Sequence, residues 1–339
     1  MKVSVINLSH PHYNLGCAKL ATWLRSRGDE VTEFSHDPGL WLEHFDLICV
    51  SAIFSWDVPK GVQVAWRAEC EVWAGGPGFL HMRDWWRKET GLEAHYGLDQ
   101  RFERQRGQYR MTFASRGCPV GCFFCSVPEL EGSTYTLDWD FQPAPICCDN
   151  NITDIPVEFQ EHMVRRYRET GTPLMDCNSG FEPKNFTQAT YERWKPILRG
   201  PWRFGYDYFP ERSAAKRMLE ILKSEPSNKK RVYVLIGNEP FDVCLQRATE
   251  VLEWGGEPFC QPYLLKTAVD RHEFVIRYDW TPERLTHFAR YFNRFLWKYT
   301  PLKEYQIGNK RPFATEPAEY RGAPPSLGGF ASDELIQIT

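Results

Sequence analysis

Three cysteines, Cys118, Cys122 and Cys125, constrain this chain more than any other feature. They are spaced CxxxCxxC inside the run Ser115-Arg116-Gly117-Cys118-Pro119-Val120-Gly121-Cys122-Phe123-Phe124-Cys125. Two glycines and a proline mark the run as a loop, and Gly117 and Gly121 permit backbone angles that other residues resist. Such a loop can curl three sulfurs around one centre. Three thiolates leave one iron of a cubane [4Fe-4S] cluster without a protein ligand. An open iron is a place to bind and activate something, much as a catalytic zinc keeps an open position. A structural zinc would want a fourth ligand from His81, His95 or a distant cysteine, and no second paired CxxC knuckle is present. The cluster is therefore the preferred reading.

The other cysteines bring in the compartment. The chain has 339 residues and 11 cysteines. Met1 to Leu8 is a short strand-like run and not a charged stretch followed by a long apolar one, so no signal peptide is read there. No window approaches the roughly 20 apolar residues that span a bilayer. The expectation is a cytoplasmic protein with no membrane partner, whose thiols stay reduced. An odd, high cysteine count in that setting points to metal or redox chemistry. The net charge of -3 gives no global basic field, and the connector 83–110, with seven Arg or Lys against five Asp or Glu, nets only two positive charges. Nucleic acid is not favoured as a partner.

Before the motif, residues 2–8 alternate like a strand, 15–27 carry a helical pattern ended by Gly28, and 30–34 and 46–54 read as further strands. A short helix at 62–68 and a strand at 71–74 lead into Gly75-Gly76-Pro77-Gly78. This is a small, open α/β sheet of about four parallel strands over residues 1–100. After Tyr109, strand-like segments recur at 110–115, 145–149, 173–178, 202–207, 231–236 and 258–263. Helical stretches lie near 156–169, 187–199, 212–224 and 241–254. Six strands at intervals of about 30 residues suit βαβ units, and the segment is too short for a closed eight-fold barrel. The fold class is α/β: a partial (β/α)6 barrel over 108–268 behind a Rossmann-like domain. A C-terminal region, 269–339, follows, with a helix at 283–298 and an extended tail from about 308 to 329.

The CxxxCxxC spacing, the aromatic Phe124 before the third cysteine and the SRGCPxGCxFC wording resemble the radical S-adenosylmethionine (SAM) superfamily. They are most similar to the branch with a cobalamin-binding-type domain at the N-terminus. The resemblance implies a [4Fe-4S] cluster on Cys118, Cys122 and Cys125 whose open iron chelates SAM. An electron from the cluster, supplied by a donor such as flavodoxin or ferredoxin, would cleave SAM to a 5′-deoxyadenosyl radical. That radical abstracts hydrogen from a substrate that remains unidentified. Ligands of such folds sit at the C-terminal ends of strands, so the cofactor-binding candidates are Phe124, Asp149, Asn150, Asn178 with Ser179, Asp207, Gly237, Glu239 and Gln261. Asp149 and Asn150 resemble the segment that meets the SAM amino group. Asn178 and Asp207 are candidates for ribose or carboxylate, and Gly237 and Glu239 fall in the run similar to the strand beside adenine.

Residues 14–31, 46–54 and 75–78 resemble a cobalamin-binding domain in layout but lack its DxHxxG motif. A degenerate scaffold is expected, with cobalamin admitted but not favoured. Cys147, Cys148, Cys177 and Cys260 are read as buried small hydrophobes and not as ligands of a second cluster. The competing readings are a zinc-binding, nucleic-acid-contacting protein and a catalytically silent relative of the family.

Overall fold

Strand β1 (Lys2–Asn7) has Val3, Val5 and Ile6 buried, and β3 (Leu47–Ser51) has Leu47 to Val50 buried, so their apolar residues do not alternate. Runs like these fill the middle of a parallel sheet covered on both faces. Helix α1 (Leu15–Ser26) and strand β2 (Glu30–Phe34) lie between them in sequence. Helix α2 (Val58–Arg67) and strand β4 (Glu71–Gly75) follow. With a fifth strand, β5 (Ala94–His95), beside β4, the sheet order is β2-β1-β3-β4-β5, parallel throughout. One apolar cluster, built around Ile48, Val50 and Trp86, covers one face, and Val3, Ala21 and Leu24 belong to the other. Because β1 lies between β2 and β3, the winding reverses there and opens a crevice at the C-terminal ends of the strands.

The structure is a computed structural model that describes residues 1–307 except Ser179, together with residues 311–312 and 335–336. It corrects the expected connector and the count of about four strands. Within 83–110, helix α3 (Arg83–Thr90) packs on α2, and the fifth strand, β5 (Ala94–His95), completes the N-terminal sheet. Charge hid these elements: on α3 only Trp86 is buried, and two residues of strand carry no periodicity. Helix α4 (Gln100–Glu103) then leans on α1.

After the N-terminal sheet, two three-stranded parallel groups run in chain order, the first opening with β6 (Met111–Thr112). β9 (Ile146–Cys147) pairs with β6 and β10 (Asp176–Cys177), and β12 (Lys230–Ile236) pairs with β11 (Trp202–Gly205) and β13 (Glu257–Pro262). Single parallel bridges, Leu174 to Leu198 and Phe181 to Phe204, span the gap between the two groups. The expected six segments all contain strand, but the first three shrink to two residues each. Pro143, Pro145 and Pro173 supply no ladder N–H beside them. Helices α6 (Val157–Thr170), α7 (Gln188–Trp194), α8 (Arg212–Ile221) and α9 (Phe241–Glu253) fall between successive strands and share one core with them, including Phe159, Trp194 and Met218.

Beyond β13 the sheet stops for a local reason. Helix α10 (Pro282–Asn293) starts at Thr281, whose side chain accepts from the Arg284 N–H, and packs against β13. Its last residue, Asn293, accepts from the Cys260 N–H (2.7 Å) and donates to the Cys260 carbonyl (2.9 Å). A side-chain amide thus occupies the strand edge that a next strand would need. The helix is shorter than the expected 283–298, because Phe295 takes a left-handed φ of 57°. Ser179 and, apart from residues 311–312, the tail expected over 308–329 lie outside the described residues. Among the described residues no helix is long and apolar enough to cross a membrane.

Candidate functional site

The cysteine loop leaves β7 (Ser115–Arg116), which pairs antiparallel with β8 (Thr136–Leu137), and returns through α5 (Val127–Glu131). Gly117 and Gly121 both have left-handed φ, +83° and +65°. They do different work. A Cβ on Gly117 would lie 2.1 Å from the Thr134 carbonyl oxygen, whereas one on Gly121 would meet nothing within 4 Å. The first lets two chain segments cross, and the second only sets the curl of the loop.

Cys118, Cys122 and Cys125 are partly accessible, while all other cysteines except Cys70 are buried. Burial is the larger cause that raises the thiols of Cys122 and Cys125, and the neighbouring Cys118 adds to it for both, as Cys125 does for Cys122. Burial pushes Cys125 up to about 12 and Cys122 above the ordinary thiol range. Burial raises Cys118 as well, opposed by the Val120 backbone and by the neighbouring Tyr135 and Asn151 side chains. The Val127 N–H donates to the Cys125 sulfur at 3.4 Å. Desolvated thiolates need a positive centre to stay charged, and a cluster bound to all three fits this donor set. Among the described residues, the three cysteines included, no three His, Cys, Asp or Glu side chains are gathered tightly enough to hold a single metal ion.

Aromatic contacts seat the loop over the ends of the later strands. Phe123 lies edge-on to Tyr208 after β11 and to Tyr263 after β13, with centroids 5.8 and 5.9 Å apart. Phe124 is buried with Leu235 and Tyr263, so its ring packs the loop down. Asp207 is half-buried beside Cys122 and Cys125. Burial, then the neighbouring Glu211, pushes its carboxyl up to about 7 against the opposing pull of Arg247.

The two candidates that follow β9, Asp149 and Asn150, are placed differently from the expectation. Asp149 is fully buried and accepts from the Ala114 N–H (2.7 Å), the Ser115 hydroxyl (2.6 Å) and the Cys147 thiol (3.2 Å). Both carboxylate oxygens are engaged in joining β6 and β7 to β9, so neither is presented to a ligand. Asn150 and Asn178 do line a cavity, although Asn150 also donates to Glu131 (2.6 Å). Glu239 likewise faces inward, accepting from the Phe209 N–H (3.1 Å) and pairing with Arg247 at 2.9 Å. Gly237, at φ +94°, sits under Leu285 of α10, and Gln261 is half-buried on β13, paired in register with Leu235. These last three lie apart from the cavity.

That cavity, of about 800 Å³, separates the C-terminal ends of the N-terminal strands from the cysteine loop. Asn14, Ser51 and His95 come from one wall, and Ser126, Val127 and Asn150 from the other. The run Gly75-Gly76-Pro77-Gly78 lines it as well. Cβ atoms on Gly76 and Gly78 would run into the Ala52 and Phe54 carbonyls, each at 2.5 Å, so these glycines serve chain crossing. Sequence reading also missed Arg247. This fully buried guanidinium donates to the carbonyls of Tyr206 (2.6 Å) and Leu235 (2.7 Å), fixing the ends of β11 and β12 together. An arginine amid the apolar face of a helical pattern was the available signal.

No protein-family model matches this chain, and no curated protein matches it by sequence. Among solved structures its fold is similar to that of the radical S-adenosylmethionine methyltransferase TsrM from Kitasatospora setae, a structure with cobalamin and a [4Fe-4S] cluster bound. The TM-score is 0.60 at 12% identity, over 78% of this chain and 76% of that one. The chain thus shares the fold of that radical SAM methyltransferase.

Proposed function

We propose that this chain is a radical SAM enzyme, with Cys118, Cys122 and Cys125 holding a [4Fe-4S] cluster at the mouth of a partial (β/α)6 barrel. The observation that carries the reading is the loop itself. Three adjacent, desolvated thiols lie over the ends of β11 and β13, on a backbone bent by two left-handed glycines. When bound, the cluster would supply the electron that cleaves SAM to a 5′-deoxyadenosyl radical, which abstracts hydrogen from a substrate. The chain's own part is to hold and shield. Phe123 and Phe124 seat the loop, and Asn150, Asn178 and Asp207 offer polar groups for SAM. A small reductant of the flavodoxin or ferredoxin kind completes the scheme. The test is anaerobic reconstitution with iron and sulfide, followed by an assay for 5′-deoxyadenosine from SAM under dithionite. A loaded protein that forms none would leave the silent-relative reading standing, and stoichiometric zinc without sulfide would favour the zinc reading.

A second reading concerns the N-terminal domain. The cavity lies at the reversal of the strand winding, faces the cysteine loop and is at the large end of ligand sites. Together with the cobalamin in the similar structure, this supports a cobalamin bound between the domains and a methyl transfer as the overall reaction. A corrinoid spectrum that survives gel filtration would establish it. Its absence after loading with hydroxocobalamin would leave the domain as a scaffold.

A further inference from the structure

The loop that carries the thiols is closed at its neck by one carboxylate. We propose that Glu131 is a positioning residue that holds the two ends of the cysteine loop in register, so that the three sulfurs stay aimed at one centre. The proposal rests on reading those cysteines as cluster ligands. Glu131 is the last residue of α5, and its two oxygens divide three donors between them. Oε2 accepts from the Gly117 N–H at 3.1 Å and from the Asn150 amide at 2.6 Å, while Oε1 accepts from the Arg116 guanidinium at 2.9 Å. The next residue, Gly132, takes the Cys118 N–H on its carbonyl at 3.2 Å. Two successive N–H groups entering the loop are thus held by two successive residues leaving it.

The neck is also anchored outwards. Arg116 makes a bidentate contact to Glu103 of α4 at 2.9 Å, and Glu103 in turn pairs with Lys19 of α1 at 3.4 Å. The side chains of Arg116 and Glu131 are only 15% and 11% exposed, where charge-assisted bonds of this kind are least screened. Helix α5, which carries Glu131, has five residues and buries only Val127.

The substitution Glu131→Gln replaces one oxygen by an amide N–H2. Either Arg116 or the Gly117 and Asn150 donors must then face another donor. Glu103→Gln weakens the same ion network but leaves the hold on Gly117 intact. Each full-length variant would be loaded anaerobically with iron and sulfide. Cluster release to an iron chelator and the electron paramagnetic resonance spectrum of the reduced cluster would then be compared with wild type. Losing charge-assisted bonds at the neck should speed release by about tenfold or more in Glu131→Gln, with altered g-values or line widths. Glu103→Gln should stay within about twofold of wild type. If Glu131→Gln does not fold, Glu131→Asp, which retracts the carboxylate by one methylene, should show the same faster release. Wild-type retention and spectrum in these Glu131 variants would overturn the proposal, as would equal loss in Glu103→Gln. A wild-type chain that takes up no iron and sulfide would overturn the ligand reading along with it.

Discussion

Asp149 shows how a residue placed where a ligand is expected can be taken by the fold instead. Its burial raises the carboxyl above the ordinary aspartate range, opposed by hydrogen bonds from Ser115 and Ala114. A raised folded pKa means that the charged form costs stability. That cost is absent below the unfolded value, about 4, and grows as pH rises through the folded value. The isosteric Asp149→Asn keeps an acceptor for the Ala114 N–H, and the Ser115 hydroxyl can turn to accept from the new amide. The two proteins should therefore be closest in stability near pH 4, with the asparagine variant gaining on wild type towards pH 7 in urea denaturation. Asp149→Ala should instead destabilise at every pH, by about 1–3 kcal/mol for each donor left unpaired. A wild type that gained on the asparagine variant with rising pH would show the carboxylate to be net stabilising. Thiol chemistry can be sorted in the same way. Burial pushes Cys148 and Cys49 up to about 12 and Cys147 and Cys177 well above the ordinary thiol range, whereas Cys70 is half-exposed and raised without a large shift. Iodoacetamide at pH 8 should alkylate Cys70 in the folded, cluster-loaded protein and reach Cys147, Cys148 and Cys177 only on unfolding, as peptide mass spectrometry would report.

Between elements, two different devices set the candidate site. The Gly117 crossing admits no side chain, since a Cβ would fall 2.1 Å from a carbonyl oxygen, whereas Gly121 needs only a left-handed backbone. Gly117→Ala should prevent cluster assembly. Gly121→Ala should still assemble it, at a stability cost of about 1–2 kcal/mol for the left-handed alanine. Iron and sulfide analysis after anaerobic loading distinguishes the two. Arg247 ties α9 to the ends of β11 and β12, and Arg247→Ala should cost about 3–5 kcal/mol in urea denaturation, since it leaves Glu239 and two carbonyls without their partner. These devices explain what the sequence could convey. The cysteine loop was legible because its chemistry needs fixed residue types at fixed spacing. The strand and helix alternation was legible because long apolar runs such as Val232 to Ile236 have few other folds open to them. Helix α3 and β5 were not legible, being charged and short, and neither was the consumption of Asp149 and Glu239 by buried partners. Partners such as Ser115 and Arg247 are brought to them by tertiary packing, which leaves no periodic trace in the chain.

Across the molecule, the N-terminal sheet and the strands that follow the cysteine loop face each other over one cavity, and that arrangement decides what a metal analysis should find. If the three thiols hold a cubane, protein purified without oxygen should be brown, with about four iron and four sulfide per chain. An iron without a thiolate ligand is open to oxidants, so air should bleach the colour. Replacing Cys118, Cys122 and Cys125 together by Ala should remove iron and sulfide alike. The same replacement removes three desolvated thiols, so the fold itself should survive, with a thermal midpoint for the metal-free variant no lower than that of metal-free wild type. Cys148→Ala is the control: its buried thiol lines the cavity but lies off the loop, and its iron content should match wild type. Iron that persists in the triple variant, or that disappears in Cys148→Ala, would move the metal centre away from the loop and towards the strand ends.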